Sequence, residues 1–120
     1  MAAGVLDITI EQGSNFSLVV RLKDDSGNAL DLTGYTMRGQ IRASCASATT
    51  IIALTCTNTD PTLGQFSCTL TAAQTTALVT TGATFDEYVE YVYDVEIVSA
   101  GGVVTRVLNG AAFLSPEATK

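Results

Sequence analysis

At 120 residues the chain is the size of one domain, too short for two ordinary cores, and 47% of it is hydrophobic, ample for a packed interior. A net charge of −6 with no run of Lys or Arg leaves little to neutralise phosphates, which excludes nucleic acid and anionic membranes as expected partners. No apolar stretch approaches the ~20 residues needed to span a bilayer. The N-terminus lacks a signal peptide's basic n-region and long apolar core, so the expectation is synthesis and retention in a cytoplasm until assembly.

Only 15% of residues are charged and Thr is the commonest polar residue, a mixture that suits strands because β-branched side chains lose less χ1 freedom on a pleated surface than in a helix. In chain order, period-2 alternation predicts a short strand over residues 6–11, then a turn at Gln12-Gly13-Ser14. A second strand comes next, with Phe16, Leu18, Val20 and Leu22 on one face and Ser17, Val19, Arg21 and Lys23 on the other. Asp24-Asp25-Ser26-Gly27-Asn28 and Asp31-Leu32-Thr33-Gly34 read as turns, because short polar side chains bond their own backbone and Gly tolerates positive φ. The third strand, 35–43, alternates Tyr35, Met37, Gly39 and Ile41 with Thr36, Arg38, Gln40 and Arg42.

A fourth strand, 50–58, and a fifth, 64–70, flank a loop in which Pro61 presets φ and Gly64 closes the turn. Centring that loop near Thr62 sets Cys56 opposite Cys68 and Leu54 opposite Leu70; these four share one face with Phe66. Thr71-Ala72-Ala73-Gln74 has the capping-box pattern, with Leu78 and Val79 beyond it, so one or two helical turns over 71–78 are expected to bridge two sheets. A longer strand, 88–98, points Val89, Tyr91, Tyr93, Val95 and Ile97 inward. A hairpin at Ser99-Ala100-Gly101-Gly102 returns the chain as 103–114, with Gly110 a bulge or bend. The expected fold class is all-β, an antiparallel immunoglobulin-like β-sandwich of about seven strands with one short helical crossover. It forms a single domain over 1–120 with short flexible tails at 1–5 and 116–120.

The chemistry-bearing residues are few. There is no His, which removes the commonest general base and metal ligand. No Ser sits in a GxSxG elbow, and three cysteines, Cys45, Cys56 and Cys68, offer neither a disulfide framework nor CxxC spacing. The expectation is no enzyme, no metal, no cofactor, and reduced thiols acting as small hydrophobes. Asp86, Glu87, Glu90, Asp94 and Glu96 cluster, and could form an acid/base pair or a hard-cation site. Alternation instead sets Glu90, Asp94 and Glu96 on the outer face of one strand, where Arg38 and Arg42 would meet them as a surface charge ladder. Asp24–Asn28 lacks the twelve-residue spacing and terminal Glu of a calcium loop and reads as a plain turn. Tyr91 and Tyr93 read as core and Tyr88 as an exposed strand entrance. Val19 and Val92 interrupt polar outer faces and would mark a subunit contact if they joined one patch.

Four stretches resemble a known family. They are Ile8-Thr9-Ile10-Glu11-Gln12-Gly13 with Phe16-Ser17-Leu18, Asp31-Leu32-Thr33-Gly34-Tyr35-Thr36-Met37-Arg38-Gly39-Gln40-Ile41-Arg42, Tyr93-Asp94-Val95-Glu96, and Gly110 with Leu114-Ser115-Pro116-Glu117. Together they resemble small β-sandwich structural proteins of tailed bacteriophages, related to baseplate and tail-fibre N-terminal domains. The resemblance covers almost the whole chain and rests on turn and strand signatures. It implies a non-enzymatic virion protein, made in the host cytoplasm, that docks between tail or baseplate components where fibres attach. The implied partners are other virion proteins (tail, baseplate, fibre or capsid subunits) in a homo-oligomeric or symmetric multicopy assembly. Alternatives are a capsid decoration protein and, from another class, a carbohydrate- or host-receptor-binding module. The expected protein interface comprises Val5, Leu6, Val19, Val92, Pro116 and Glu117, because terminal segments and open edges can add strands to a neighbour, and the first and last strands are expected as exposed edges.

Overall fold

The computed structural model describes residues 3–47, 51–78 and 82–119. Expectations that fall on Met1, Ala2, Thr50, Val79 and Lys120 lie outside the described residues. Eight strands form in chain order: β1 (Gly4–Val5), β2 (Ile8–Glu11), β3 (Phe16–Arg21), β4 (Thr36–Arg42), β5 (Ile52–Asp60), β6 (Gln65–Leu70), β7 (Val89–Val98) and β8 (Val104–Ser115). A 3-10 turn, Pro61–Leu63, and one short helix, α1 (Ala72–Thr76), complete the described elements.

The strand order is β1-β8-β7-β4-β5-β6-β3, with β2 also pairing β8. The expectation of an antiparallel fold is corrected here. Both β1 and β2 run parallel to β8 (Gly4↔Leu108, Ile8↔Ala112), so the sheet is mixed. Alternation is the same in both pairing senses, so it gives no warning of this. A second correction concerns the edges, since the last strand is interior, lying between β7 and the β1–β2 pair, and the open edges are β3 and β1–β2.

β5 is shared along its length. Its first part pairs β4 (Gly39↔Leu54, Ile41↔Ile52) and its later part pairs β6 (Thr55↔Thr69, Cys56↔Cys68). The expected Cys56–Cys68 register is present, but Leu54 faces Gly39 and has left Leu70. Gly39 is what permits this, because a Cβ there would sit 2.9 Å from Leu54 Cδ1. At this hand-over the sheet curls, and one hydrophobic cluster draws Ile8, Ile10, Val95 and Leu114 together with Val20, Phe66, Cys68 and Leu70. Each fully buried large side chain of that set contributes about 1.5–3 kcal/mol.

The turns form through side chains bonding their own backbone. Asp24 Oδ1 accepts the backbone N–H of Ser26 (3.0 Å) and Asn28 (2.9 Å), and Asp31 Oδ1 accepts the N–H and hydroxyl of Thr33. Those bonds hold the Asp31 carboxyl below its ordinary pKa. Leu32, expected only as a turn residue, is completely buried, its N–H donating to Pro61 O at 2.8 Å. The capping box of α1 is complete: Gln74 N–H donates to Thr71 Oγ1 and Thr71 N–H to Gln74 Oε1. The buried Thr75 hydroxyl donates to Ser14 O (2.8 Å) and accepts from Gly13 N–H (3.1 Å), fastening α1 to the turn after β2.

Gly110, expected at a bulge or bend, is not the site of the bulge. The bulge is at Val107, between the pairs Val95↔Leu108 and Glu96↔Arg106. Gly110 has another role. A Cβ there would lie 2.1 Å from the Leu6 carbonyl oxygen, so the missing side chain admits the N-terminal backbone where β1 passes into β2. The Tyr93 hydroxyl donates to that carbonyl at 2.5 Å, Leu6 N–H donates to Asn109 O at 3.0 Å, and Ala111 N–H donates to Asp7 Oδ1 at 3.0 Å. Part of the segment expected as a flexible tail at 1–5 is therefore strand β1.

Candidate functional site

The outer face of β4, β7 and β8 carries most of the charge expected to matter. Alternation turns Arg38, Gln40 and Arg42 of β4 and Glu90, Val92, Asp94 and Glu96 of β7 outward. The register matches Arg38 with Glu96, Gln40 with Asp94 and Arg42 with Val92. Arg38 Nε donates to Glu96 Oε1 at 2.7 Å, the ion pair found among the described residues. With the arginine side chain 57% exposed, it is worth about 0.2–1 kcal/mol.

The rest of the expected ladder is arranged differently. Arg42 donates to Ser47 O (2.7 Å) and Gln40 Oε1 (3.0 Å) and pairs with no carboxylate among the described residues. Glu90 lies beyond the last β4–β7 pair and faces Phe113 of β8. Sequence reasoning missed Arg106, which stands opposite Glu96 on β8. The bulge at Val107 reverses the alternation upstream of it and brings Arg106 outward. The sequence carried no clear signal of it, because the consecutive apolar pair Val107-Leu108 is matched by the unbroken apolar run Ala111-Ala112-Phe113-Leu114 in the same strand.

Arg38, Arg42, Arg106, Val92, Asp94 and Cys45 all line a groove of about 690 Å³ on this face. Three of the six Lys and Arg residues of the chain converge there. Burial raises the Asp94 pKa above the ordinary carboxylate value and the neighbouring Glu96 charge adds to this, while Arg106, Arg42 and Arg38 pull it back. The groove thus places guanidinium groups around a partly desolvated carboxyl, a setting suited to receiving further carboxylates.

A different surface lies at the other end of β7. Phe85 and Tyr88 are exposed (62% and 49%), and the Tyr88 ring meets Phe113 edge-on at 6.0 Å between centroids. The loop is held by Ala83 N–H donating to Glu87 Oε2 (2.9 Å) and by Ser115 Oγ donating to Phe85 O (3.1 Å). Glu11, Asp86 and Glu117 surround a cleft of about 550 Å³ beside these rings. Pro116 also lines the cleft, and Glu117 N–H donates to Gln12 Oε1 at 3.1 Å. The start of the segment expected as a free tail is therefore bonded to the turn after β2.

The remaining interface candidates separate. Val5 is 77% and Leu6 45% exposed, so their side chains face outward although their backbone lies beside β8. Val19 is 53% exposed on the open-edge strand β3. Val92 lies on β7, with β6, β5 and β4 intervening, so the two valines do not form one patch. Cys45 is exposed, while the Cys56 and Cys68 sulfurs are 3.3 Å apart across β5 and β6. The described residues contain no group of three or more His, Cys, Asp or Glu able to hold a metal ion.

Among known proteins, no family model and no curated protein matches the chain. A solved structure of murine CRIg is similar over 91% of this chain and 90% of that one, at 12% identity and a TM-score of 0.41. That degree of likeness carries no argument about fold or function.

Proposed function

We propose that this protein is a non-enzymatic structural subunit of a tailed-phage virion that docks between tail or baseplate components. In this reading the curled sheet is an immunoglobulin-like sandwich, with β1, β2, β8, β7 and β4 opposite β5, β6 and β3. The virion context rests on the resemblance of the strand and turn signatures; the docking role rests on the surface.

The observation that carries the docking role is how much apolar surface the fold leaves open. Val5, Val19, Leu63, Phe85, Tyr88, Val103 and Val104 are among its exposed large apolar side chains. Val19 is the most telling, because it stands on a strand whose outer edge is unpaired among the described residues, and such an edge can take a neighbour's strand by main-chain hydrogen bonds.

Val19→Lys and Val103→Lys should leave circular dichroism and melting temperature close to wild type and reduce incorporation into particles. Normal incorporation of both variants would refute docking through these positions. A cryo-electron-microscopy map of the parent particle would show whether the neighbour is a tail or baseplate subunit, and a position on the capsid shell would overturn the placement.

A further inference from the structure

The outer face of β4, β7 and β8 has a polarity that goes beyond docking on other virion proteins and does not depend on that reading. Along β7 the levels are set by register. Arg38 and Arg106 flank Glu96, Gln40 and Asn109 flank Asp94, Arg42 and Ala111 flank Val92, and Phe113 stands beside Glu90. Past the strand end lie Tyr88, Asp86 and Phe85, with Glu11 carried in beside Ser115 by β2. One half of the face thus holds three arginines against two carboxylates. The other half and its loop hold Glu11, Asp86, Glu87, Glu90 and Glu117, with no cation among the described residues there.

Val92 lies midway between these halves, four residues from Tyr88 and four from Glu96. A half-turn about an axis that passes just above Val92, parallel to the sheet and perpendicular to β7, lays the acidic aromatic end of one copy over the arginine groove of another, and reciprocally. Such a face is self-complementary under a two-fold axis. We propose that its occupant is a second copy of this chain, forming a two-fold dimer. In that dimer Val92 packs on its symmetry mate, Asp86 meets Arg106, and the Phe85 and Tyr88 rings receive guanidinium groups.

The ingredients fit the chemistry of such contacts. Arg38 and Arg106 are exposed, and Arg over an aromatic ring gains from the ring quadrupole as well as from neighbouring carboxylates. Ala111 keeps one side of Val92 low and apolar, while Arg42 on the other side is already engaged by Ser47 O and Gln40 Oε1. The width of β4, β7, β8 and the β1–β2 edge, with the ten-residue length of β7, gives a planar footprint of about 19 by 33 Å, or about 630 Å². Side-chain relief enlarges the accessible area above that footprint, towards the roughly 800 Å² per partner of a standard interface.

The test is sedimentation velocity on the 120-residue protein, at rising concentration, in about 50 and about 500 mM NaCl. A dimer should form at low salt and weaken about tenfold or more at high salt. Arg106→Glu and Asp86→Arg should each weaken it; Asp86→Arg should leave the melting temperature unchanged, because that exposed side chain holds no turn or strand in place, while Arg106→Glu should lower it slightly without unfolding the domain, because the new carboxylate stands beside Glu96 and Asp94. Combining the two should restore association, because each reversed charge then faces its new opposite. Val92→Arg should abolish the dimer. The proposal is overturned by a chain that stays monomeric throughout, by a dimer indifferent to salt and to these variants, by failure of the double reversal to recover, or by species larger than the dimer. A monomeric chain would leave docking on other proteins standing. Loss of incorporation by Val19→Lys with the dimer intact would separate the two in the other direction.

Discussion

Gly110→Ala isolates the junction where the chain's first strands meet its last. The new Cβ would lie 2.1 Å from Leu6 O and 2.7 Å from Leu6 C, both backbone atoms, so Leu6 must retreat by about 1.3 Å to reach an ordinary contact. Three hydrogen bonds depend on its position: Tyr93 Oη to Leu6 O, Leu6 N to Asn109 O, and Ala111 N to Asp7 Oδ1. Tyr93 is only 3% exposed, and orphaning its hydroxyl costs about 1–3 kcal/mol, with about 0.5–1.5 kcal/mol for each of the other bonds. Replacing Gly by Ala returns about 0.5–1 kcal/mol through the unfolded chain. The net expectation is a loss of about 3 kcal/mol, or about 10–15 °C in melting temperature for a domain of this size. Urea and thermal unfolding by circular dichroism measure it. Tyr93→Phe alone should cost about 1 kcal/mol, and in that background Gly110→Ala should cost less, by a coupling of about 1–3 kcal/mol. A Gly110→Ala variant within about 0.5 kcal/mol of wild type, or strictly additive effects, would refute the close approach.

Single side chains elsewhere give further expected outcomes. Arg38→Ala and Glu96→Ala should each cost about 1 kcal/mol or less in urea melts, and a larger loss would mean the pair is more than a surface contact. Tyr93 is pushed up to about 12 by burial first, then by the Asp7 charge. Its contribution is therefore complete below about pH 10 and is lost as the pH rises through about 12. After allowance for solvent screening the loss is about 1–2 kcal/mol, and Tyr93→Phe should remove it. Asp94 binds its proton more tightly folded than unfolded, so its ionisation opposes folding. Asp94→Asn should be neutral or stabilising at neutral pH, and a clear loss of stability there would contradict a desolvated carboxyl. Without reductant, a thiol reagent should modify the exposed Cys45 at once, Cys56 slowly, and the buried Cys68 only on unfolding, for three thiols in all; a Cys56–Cys68 bridge would contradict reduced, structural thiols.

The sequence is most legible where a turn or cap governs the element next to it. Centring the Asp60–Gly64 loop near Thr62 gives the Cys56↔Cys68 pairing that is present, although the loop closes on Asp60↔Gln65 and a register shift between Thr57 and Asp60 is needed to reach it, and the capping box sets α1. β7 alternates apart from the outward Val92 and Val98, which is why its inward residues and the Arg38–Glu96 meeting can be read from the sequence. Other features depend on contacts that alternation does not encode. Parallel pairing of β2 with β8 leaves the same pattern as antiparallel pairing. The transfer of β5 from β6 to β4 at Leu54 is written in Gly39, far away in sequence. Leu32 reads as a turn residue because its neighbours are polar, yet its side chain fills the core. Of the candidate site, the β4 and β7 charges are legible; Arg106 is hidden by the bulge, and the aromatic loop by the lack of any periodic signal in residues 82–88.

The parallel pairing of β2 with β8 also dictates an order of events in folding. Asp7 and Ala111, hydrogen-bonded across this junction, are 104 residues apart, and Ile8 pairs with Ala112. Almost the whole chain must be in place before β2 finds its partner, and closing so long a loop is entropically costly. The β4–β7 and β5–β6 pairings can form earlier, because neither needs either terminus. Until β8 arrives, Ile8 and Ile10 have no strand beside them and the outer edge of β7 stays open. Closure of the two ends is therefore the slow step, and before it the chain is most exposed to pairing with the wrong strand.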